Sequence, residues 1–213
     1  MIDSRRLRKN QLLVALFQTV LWITRVILGR HFGGPPAWLK RRFLINLLLE
    51  FNPQQFIETG TYLGQTTKLV ANRFPDVLID TIEIDRQLFL NAKSYLSSFS
   101  PRVRVWHGDS KYILHDVLNS RNCRRVFFWL DGHDSSGFTS VGETETPLLD
   151  EMQTIGSYFA KTDKAFLIII DDSHEISTNP HYPKWQQIEA FAFQHSCKVM
   201  TRWNTIVLLK QQH

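Results

Sequence analysis

The chain has 213 residues, 25 Lys+Arg against 20 Asp+Glu for a formal charge of +5, and 43% of its residues are hydrophobic. This is globular composition with apolar material for one sizeable core, which excludes a disordered chain and a collagen-like repeat. The two cysteines, Cys123 and Cys197, are too far apart in sequence for a CxxC pair or a zinc knuckle, and they exclude a disulfide scaffold, so a cytoplasmic, reducing setting is expected.

The positive charge is uneven along the chain. Residues 1 to 50 hold nine bases and two acids, a net +7, while the other 163 hold 16 bases and 18 acids, a net −2. A nucleic-acid enzyme spreads basic groups around its groove, so no nucleic-acid partner is expected of the body. Leu12 to Leu28 is an apolar run broken by Gln18, Thr19, Thr24 and Arg25, and Gln11, Gln18 and Arg25 recur every seven residues in one narrow helical stripe. Its 17 residues make a helix of about 26 Å, short of a hydrocarbon core of about 30 Å. Three readings stay open: a helix lying on an anionic membrane surface at the inner face, a helix packed on its own domain or a partner, or a signal anchor. Residues 1–50 read as a basic, apolar helical segment, and 51–213 as the domain that follows it.

Gly33, Gly34, Pro35 and Pro36 break the first helix, and a second amphipathic segment runs from about 37 to 50 before Asn52 and Pro53 end it. Short aliphatic and aromatic runs at 55–59, 78–84, 103–107, 125–131 and 165–171 predict buried parallel strands. Helical stretches lie between them at 65–74, 86–98, 110–119, 147–160 and 183–195, the fourth opened by Thr146 as N-cap and Pro147 as first residue, with Asp150 and Glu151 in its first turn. Two strands, 197–202 and 205–210, meet at a tight turn near Trp203 and Asn204. The pattern predicts an α/β, Rossmann-like doubly wound sheet, mostly parallel with a C-terminal antiparallel β-hairpin, preceded by N-terminal helices.

The first strand runs into Glu58-Thr-Gly60-Thr-Tyr62-Leu-Gly64-Gln-Thr66-Thr67 and then a helix. Two glycines four apart at a strand-to-helix turn let a ligand approach the backbone, and the preceding acid can bind a polar or cationic group. Neither the GxGxxG dinucleotide fingerprint nor a Gly-Lys-Ser/Thr phosphate loop is present. Glu83 closes the second strand, where an acid can accept both hydroxyls of a ribose. The third strand ends His107-Gly-Asp109-Ser110, polar groups fit to meet an adenine edge.

In these motifs, over roughly Phe56 to Lys210, the chain resembles the class I S-adenosylmethionine-dependent methyltransferases, and Glu58/Gly60/Tyr62/Gly64 with Thr-Ile-Glu83-Ile is similar to the catechol-type and sugar O-methyltransferases. The resemblance implies S-adenosylmethionine as cofactor for 51–213. Glu58, the Gly60–Gly64 turn with Tyr62, and Thr66 would face its methionine part, Glu83 its ribose, and Asp109 with Ser110 its adenine.

The fourth strand ends in Trp129-Leu-Asp131-Gly-His133 and the fifth in Ile170-Asp171-Asp172-Ser173-His174. Three acids brought together either raise a pKa or hold a hard cation. The resemblance implies magnesium at Asp131 and Asp172, with Asp171 replacing one of them if the register shifts, and with Ser173 standing where an amide is expected. Asp131 counts with both the cofactor and the catalytic residues. The family's catalytic lysine falls on Asp134, so His133 is the candidate general base, with His174 behind it.

Between His133 and Pro147 a loop of small and polar residues carries Phe138, Glu143 and Glu145, candidates to line an acceptor pocket. Its Trp-Leu-Asp-Gly-His and Gly-Glu-x-x-Thr-Pro words are similar to bacterial methyltransferase-like proteins linked to glycan modification. The expected reaction is methyl transfer to a hydroxyl of a small molecule or glycan, aided by a divalent metal. Metal-independent transfer on the same fold, and a non-catalytic membrane-associated binding protein, are the alternatives.

Overall fold

The computed structural model describes Thr19, Val20, Ile23 and residues 35–131, 146–160, 162–202 and 204–211. The chain divides into two compact units, Met1–Glu50 and Phe51–His213. Apart from three helical residues, Thr19, Val20 and Ile23, the apolar run Leu12–Leu28 lies outside the described residues. Helix α1 (Ala37–Phe51) begins directly after Pro36, and the Trp38 indole N–H donates to Thr19 Oγ1 at 3.0 Å. Asn52 then turns left-handed (φ 49) and ends it. No helix among the described residues is long and apolar enough to cross a membrane.

The second unit is built on strands β1 (Gln55–Thr59), β2 (Leu78–Glu83), β3 (Val103–His107), β4 (Arg125–Leu130), β5 (Ala165–Ile170), β6 (Lys198–Arg202) and β7 (Thr205–Lys210). Helices α2 (Gln65–Arg73), α3 (Arg86–Tyr95), α4 (Ser110–Asn119), α5 (Leu148–Ala160) and α6 (Trp185–Gln194) connect them. The sheet order is β3-β2-β1-β4-β5-β7-β6, with β1 to β5 parallel and β7 antiparallel to both its neighbours. Every residue of β1 and β5 is buried, as expected where helices cover both faces of a parallel sheet. The edge strand β6 has all five residues exposed.

Behind β1, β4 and β5 the core gathers Ile57, Phe128, Phe166 and Ile168 against Leu114 and Val117 of α4 and Met152, Ile155 and Phe159 of α5. Phe159 meets Phe128 and Phe166 edge-on, at centroid distances of 6.1 and 5.1 Å. Each such ring contributes roughly 1.5–3 kcal/mol by leaving water. Gly156 lets α5 approach α6, since a Cβ there would lie 2.4 Å from His195 Nε2.

Strands predicted to 84, 131 and 171 stop one residue short, at Glu83, Leu130 and Ile170. Asp131 and Asp171 each make a last N–H bond across the sheet, to Thr59 O at 3.4 Å and to Leu130 O at 3.0 Å, and so lie at its rim. Helix 86–98 closes at Tyr95 into a 3-10 turn, Ser97–Phe99. The N-cap expected of Thr146 is not made. Its hydroxyl is buried without a hydrogen-bond partner among the described residues, and its N–H donates instead to His181 O at 3.0 Å, because the main chain there is tied to the segment before α6.

Candidate functional site at the carboxyl ends of the strands

The chain winds outward from β1 through β2 to β3, then returns to place β4 on the other side of β1. The sheet's direction of winding switches between β1 and β4, and the connections on either side diverge there to leave a crevice at the carboxyl ends. Glu58, Glu83, Asp109, Asp131, Asp171 and Asp172 all lie at or just past those ends.

The β1–α2 turn forms one wall. Gly60 (φ 81) and Gly64 (φ 70) are left-handed, as is Tyr62 (φ 49), which is exposed at its tip. Gly60 and Thr61 donate their N–H groups to Ile82 O at 3.0 and 3.1 Å, so β2 holds the turn. A Cβ on Gly60 would lie 3.3 Å from the Asp131 Cβ, so the glycine turn and the acid after β4 are in contact. Glu83 staples the same turn. One oxygen accepts the Tyr62 N–H at 2.7 Å and the other the Asp85 N–H at 3.0 Å, which orients a buried carboxylate with lone pairs to spare for a ligand.

Glu58 sits beneath the turn. Its carboxyl is buried and accepts hydrogen bonds from Thr67 Oγ1 and, at 3.0 Å, from Thr81 Oγ1. Burial pushes its pKa up to about 8, against the pull of both hydroxyls, and the Asp131 and Glu83 carboxylates add to the rise. Burial thus favours the protonated form of Glu58, whose carboxyl ties β1 to α2 through Thr67 and to β2 through Thr81. Thr66 is half-buried in the first turn of α2.

Asp109 is the N-cap of α4, its side chain accepting the Lys111 N–H at 2.9 Å, and Ser110 is buried beside it. Sequence reasoning missed Glu151 here. As an acid in the first turn of α5 it has a sufficient local explanation, yet it is 2% exposed. Burial pushes its pKa up to about 7 against the Ser110 and Thr59 hydroxyls, with Asp109 and Asp131 raising it further.

Past β4 and β5 the strand register pairs Leu130 with Ile170, so the next residues, Asp131 and Asp171, emerge side by side. Asp171 donates its N–H to Leu130 O at 3.0 Å, and Asp172 (φ 53) donates its own N–H to Asp171 Oδ1 at 2.8 Å. The sharp turn brings Asp172 back, and Asp131, Asp171 and Asp172 each offer an oxygen within 4.8 Å of the others. Three hard oxygen donors at this spacing fit a magnesium-like cation by donor type and by charge.

His174 is exposed, with Nδ1 3.1 Å from Asn204 Oδ1 and Nε2 3.1 Å from Glu175 Oε1. Asn204 was also missed as a site residue, because in sequence it is a turn asparagine and nothing more. His133, Asp134, Phe138, Glu143 and Glu145 lie outside the described residues.

No family model matches the chain, and no curated protein matches it. Solved structures do match: the S-adenosylhomocysteine-bound methyltransferase PaMTH1 of Podospora anserina aligns at a TM-score of 0.57 over 100% of this chain and 98% of its own, at 11% identity. The fold is that of the class I S-adenosylmethionine-dependent methyltransferases. The O-methyltransferase TomG of Streptomyces achromogenes, in complex with S-adenosylmethionine, aligns at 0.55 over 82% of this chain and 80% of its own, with 15% identity. A candidate caffeoyl-CoA O-methyltransferase of Staphylococcus aureus aligns at 0.53 over 94% and 97%, also with 15% identity. The methyltransferase fold thus accounts for the strand order and for the position of the crevice at the β1/β4 switch.

Proposed function

We propose that this chain is an S-adenosylmethionine-dependent methyltransferase that acts on a hydroxyl of a small molecule or glycan, with a divalent cation at Asp131, Asp171 and Asp172. One observation carries this reading: the three-carboxylate cluster abuts the glycine turn, with Asp131 in reach of the space a Gly60 side chain would fill. A binding fold alone has no need to gather like charges there, whereas a site for a sulfonium and a cation does.

S-adenosylmethionine supplies an already activated methyl group, and a bound divalent cation supplies the charge that makes an acceptor hydroxyl more acidic. The chain's own residues supply position. The Gly60–Gly64 backbone with Tyr62 and Thr66 lines the methionine side, Glu58 supports it from below, Glu83 offers its stapled carboxylate to the ribose, and Asp109 and Ser110 border the adenine. His174 is held at both ring nitrogens, by Asn204 and Glu175, so His133 is the proton acceptor of this proposal. Residues 51–213 hold all of these groups. The basic segment 1–50 is read as a tether to an anionic membrane surface.

The test is release of S-adenosylhomocysteine across glycan, catechol and small-acid acceptors, with and without chelator. Turnover that needs Mg2+ and falls at least about 100-fold in Asp131→Asn supports the reading. Turnover indifferent to chelator leaves a metal-free transferase, and no turnover on any acceptor removes the enzyme reading. For the tether, deletion of residues 1–30 is expected to abolish co-sedimentation with anionic vesicles, and unchanged binding refutes it.

A further inference from the structure

The turn after β5 is held from far along the chain. Asn204, between β6 and β7, adopts the left-handed conformation (φ 61) and projects its amide at three successive residues of that turn. Its Nδ2 donates to Asp172 Oδ1 at 3.1 Å across 32 residues of sequence. Its Oδ1 accepts the His174 N–H at 2.9 Å and the Ser173 hydroxyl at 3.3 Å. Its main-chain carbonyl accepts the Ser173 N–H at 2.9 Å, so backbone and side chain grip the same turn.

The two ends of the amide have different work. The acceptor oxygen fixes the main chain of the turn, which Ser173 N–H also fixes through the Asn204 carbonyl. The donor nitrogen acts on one carboxylate oxygen of the acidic cluster and nowhere else in that turn apart from the His174 ring, 2.9 Å away. A donor on one oxygen sets the rotation of the Asp172 carboxylate, and that rotation decides where its second oxygen points. Groups of this kind around a coordination site govern affinity without touching the ion.

We propose that Asn204 is a positioning residue of the acidic site, an amide brought in by the C-terminal hairpin that orients Asp172 and so sets the divalent-cation affinity of Asp131, Asp171 and Asp172. The inference rests on the cation reading of the preceding subsection.

The experiment is Mn2+ titration of the full chain, read by electron paramagnetic resonance and calorimetry, beside thermal melts. Asn204→Gly keeps the left-handed turn and removes only the amide. It is expected to weaken Mn2+ binding about 10- to 100-fold while the near-UV signal stays native. If that variant loses its native signal, Asn204→Ser, whose hydroxyl is too short to reach Asp172, carries the same test. Wild-type protein that binds no Mn2+ overturns the cation reading and this inference with it. Wild type and variant binding Mn2+ equally, even with a lowered melting temperature, leaves the cation reading standing and overturns the role of Asn204 alone.

Discussion

Asp80 and Thr81 are neighbours on β2 and point to opposite faces of the sheet, and the buried acids on those two faces have opposite fates. Asp80 is fully buried and completely answered: Gln55 Nε2 donates to it at 2.8 Å, Trp106 Nε1 at 2.9 Å, and Arg121 Nε pairs with it at 2.8 Å. Glu58 is also buried, but among the described residues its hydrogen bonds come from the Thr67 and Thr81 hydroxyls, and burial drives its pKa up to about 8. Glu151 repeats the pattern at about 7. The Asp80 cluster is a finished structural unit. Glu58 and Glu151 instead keep carboxyls pushed up by burial, a perturbation of the kind that clusters at ligand sites.

The largest expected effect breaks the finished side. Asp80→Ala leaves Arg121 buried without its partner and should destabilise the protein by about 3–5 kcal/mol in urea unfolding. Replacing both residues, as Asp80→Leu with Arg121→Met, should recover most of that loss. If Asp80→Ala costs no more than Glu58→Gln, the contrast between the two faces collapses.

The next effect belongs to Glu58. A carboxyl raised from 4.5 to about 8 holds its proton in the folded state after the unfolded chain has released it. Its contribution to stability is therefore complete below pH 4.5 and is lost as pH rises through about 8, at up to about 1.4 kcal/mol per pH unit. Wild type should lose stability between pH 5 and 8 more steeply than Glu58→Gln. Parallel stability–pH curves for the two would place Glu58 in a polar environment after all.

Smaller in stability, and specific to the ligand, is Gly60→Ala. The left-handed φ of 81 makes a side chain cost about 1 kcal/mol, and its Cβ would press on Asp131 at 3.3 Å. Cofactor affinity should fall at least about tenfold by calorimetry, more than that loss of stability explains. An unchanged affinity would move the ligand away from this turn.

Much of this site was legible in sequence for one reason. Strands buried on both faces read as largely apolar runs, and an acid that closes or directly follows a run marks its carboxyl end, as Glu83 does for β2, Asp131 for β4 and Asp171 for β5. The parts that were not legible each carry a sufficient local explanation that conceals a distant one. Glu151 satisfies the helix dipole, Asn204 suits a left-handed turn, and Asp80 reads as part of the strand word that ends in Glu83. The groups that bear on them, the Ser110 hydroxyl on the Glu151 carboxyl, Asp172 on Asn204 and Arg121 on Asp80, come from other elements, and no local period announces them. Thr146-Pro147 erred in the other direction, since a favourable local cap lost to the main-chain tie with His181.

If the strand-end acids surround a cofactor crevice, calorimetric titration with S-adenosylmethionine gives a one-to-one isotherm. Glu83→Gln should weaken that binding at least about tenfold, because the ribose loses its carboxylate and, with one oxygen replaced by an amide donor, the turn loses one of the two N–H bonds that Glu83 accepts. Absence of binding at millimolar cofactor, or an affinity untouched in Glu83→Gln, would contradict that crevice.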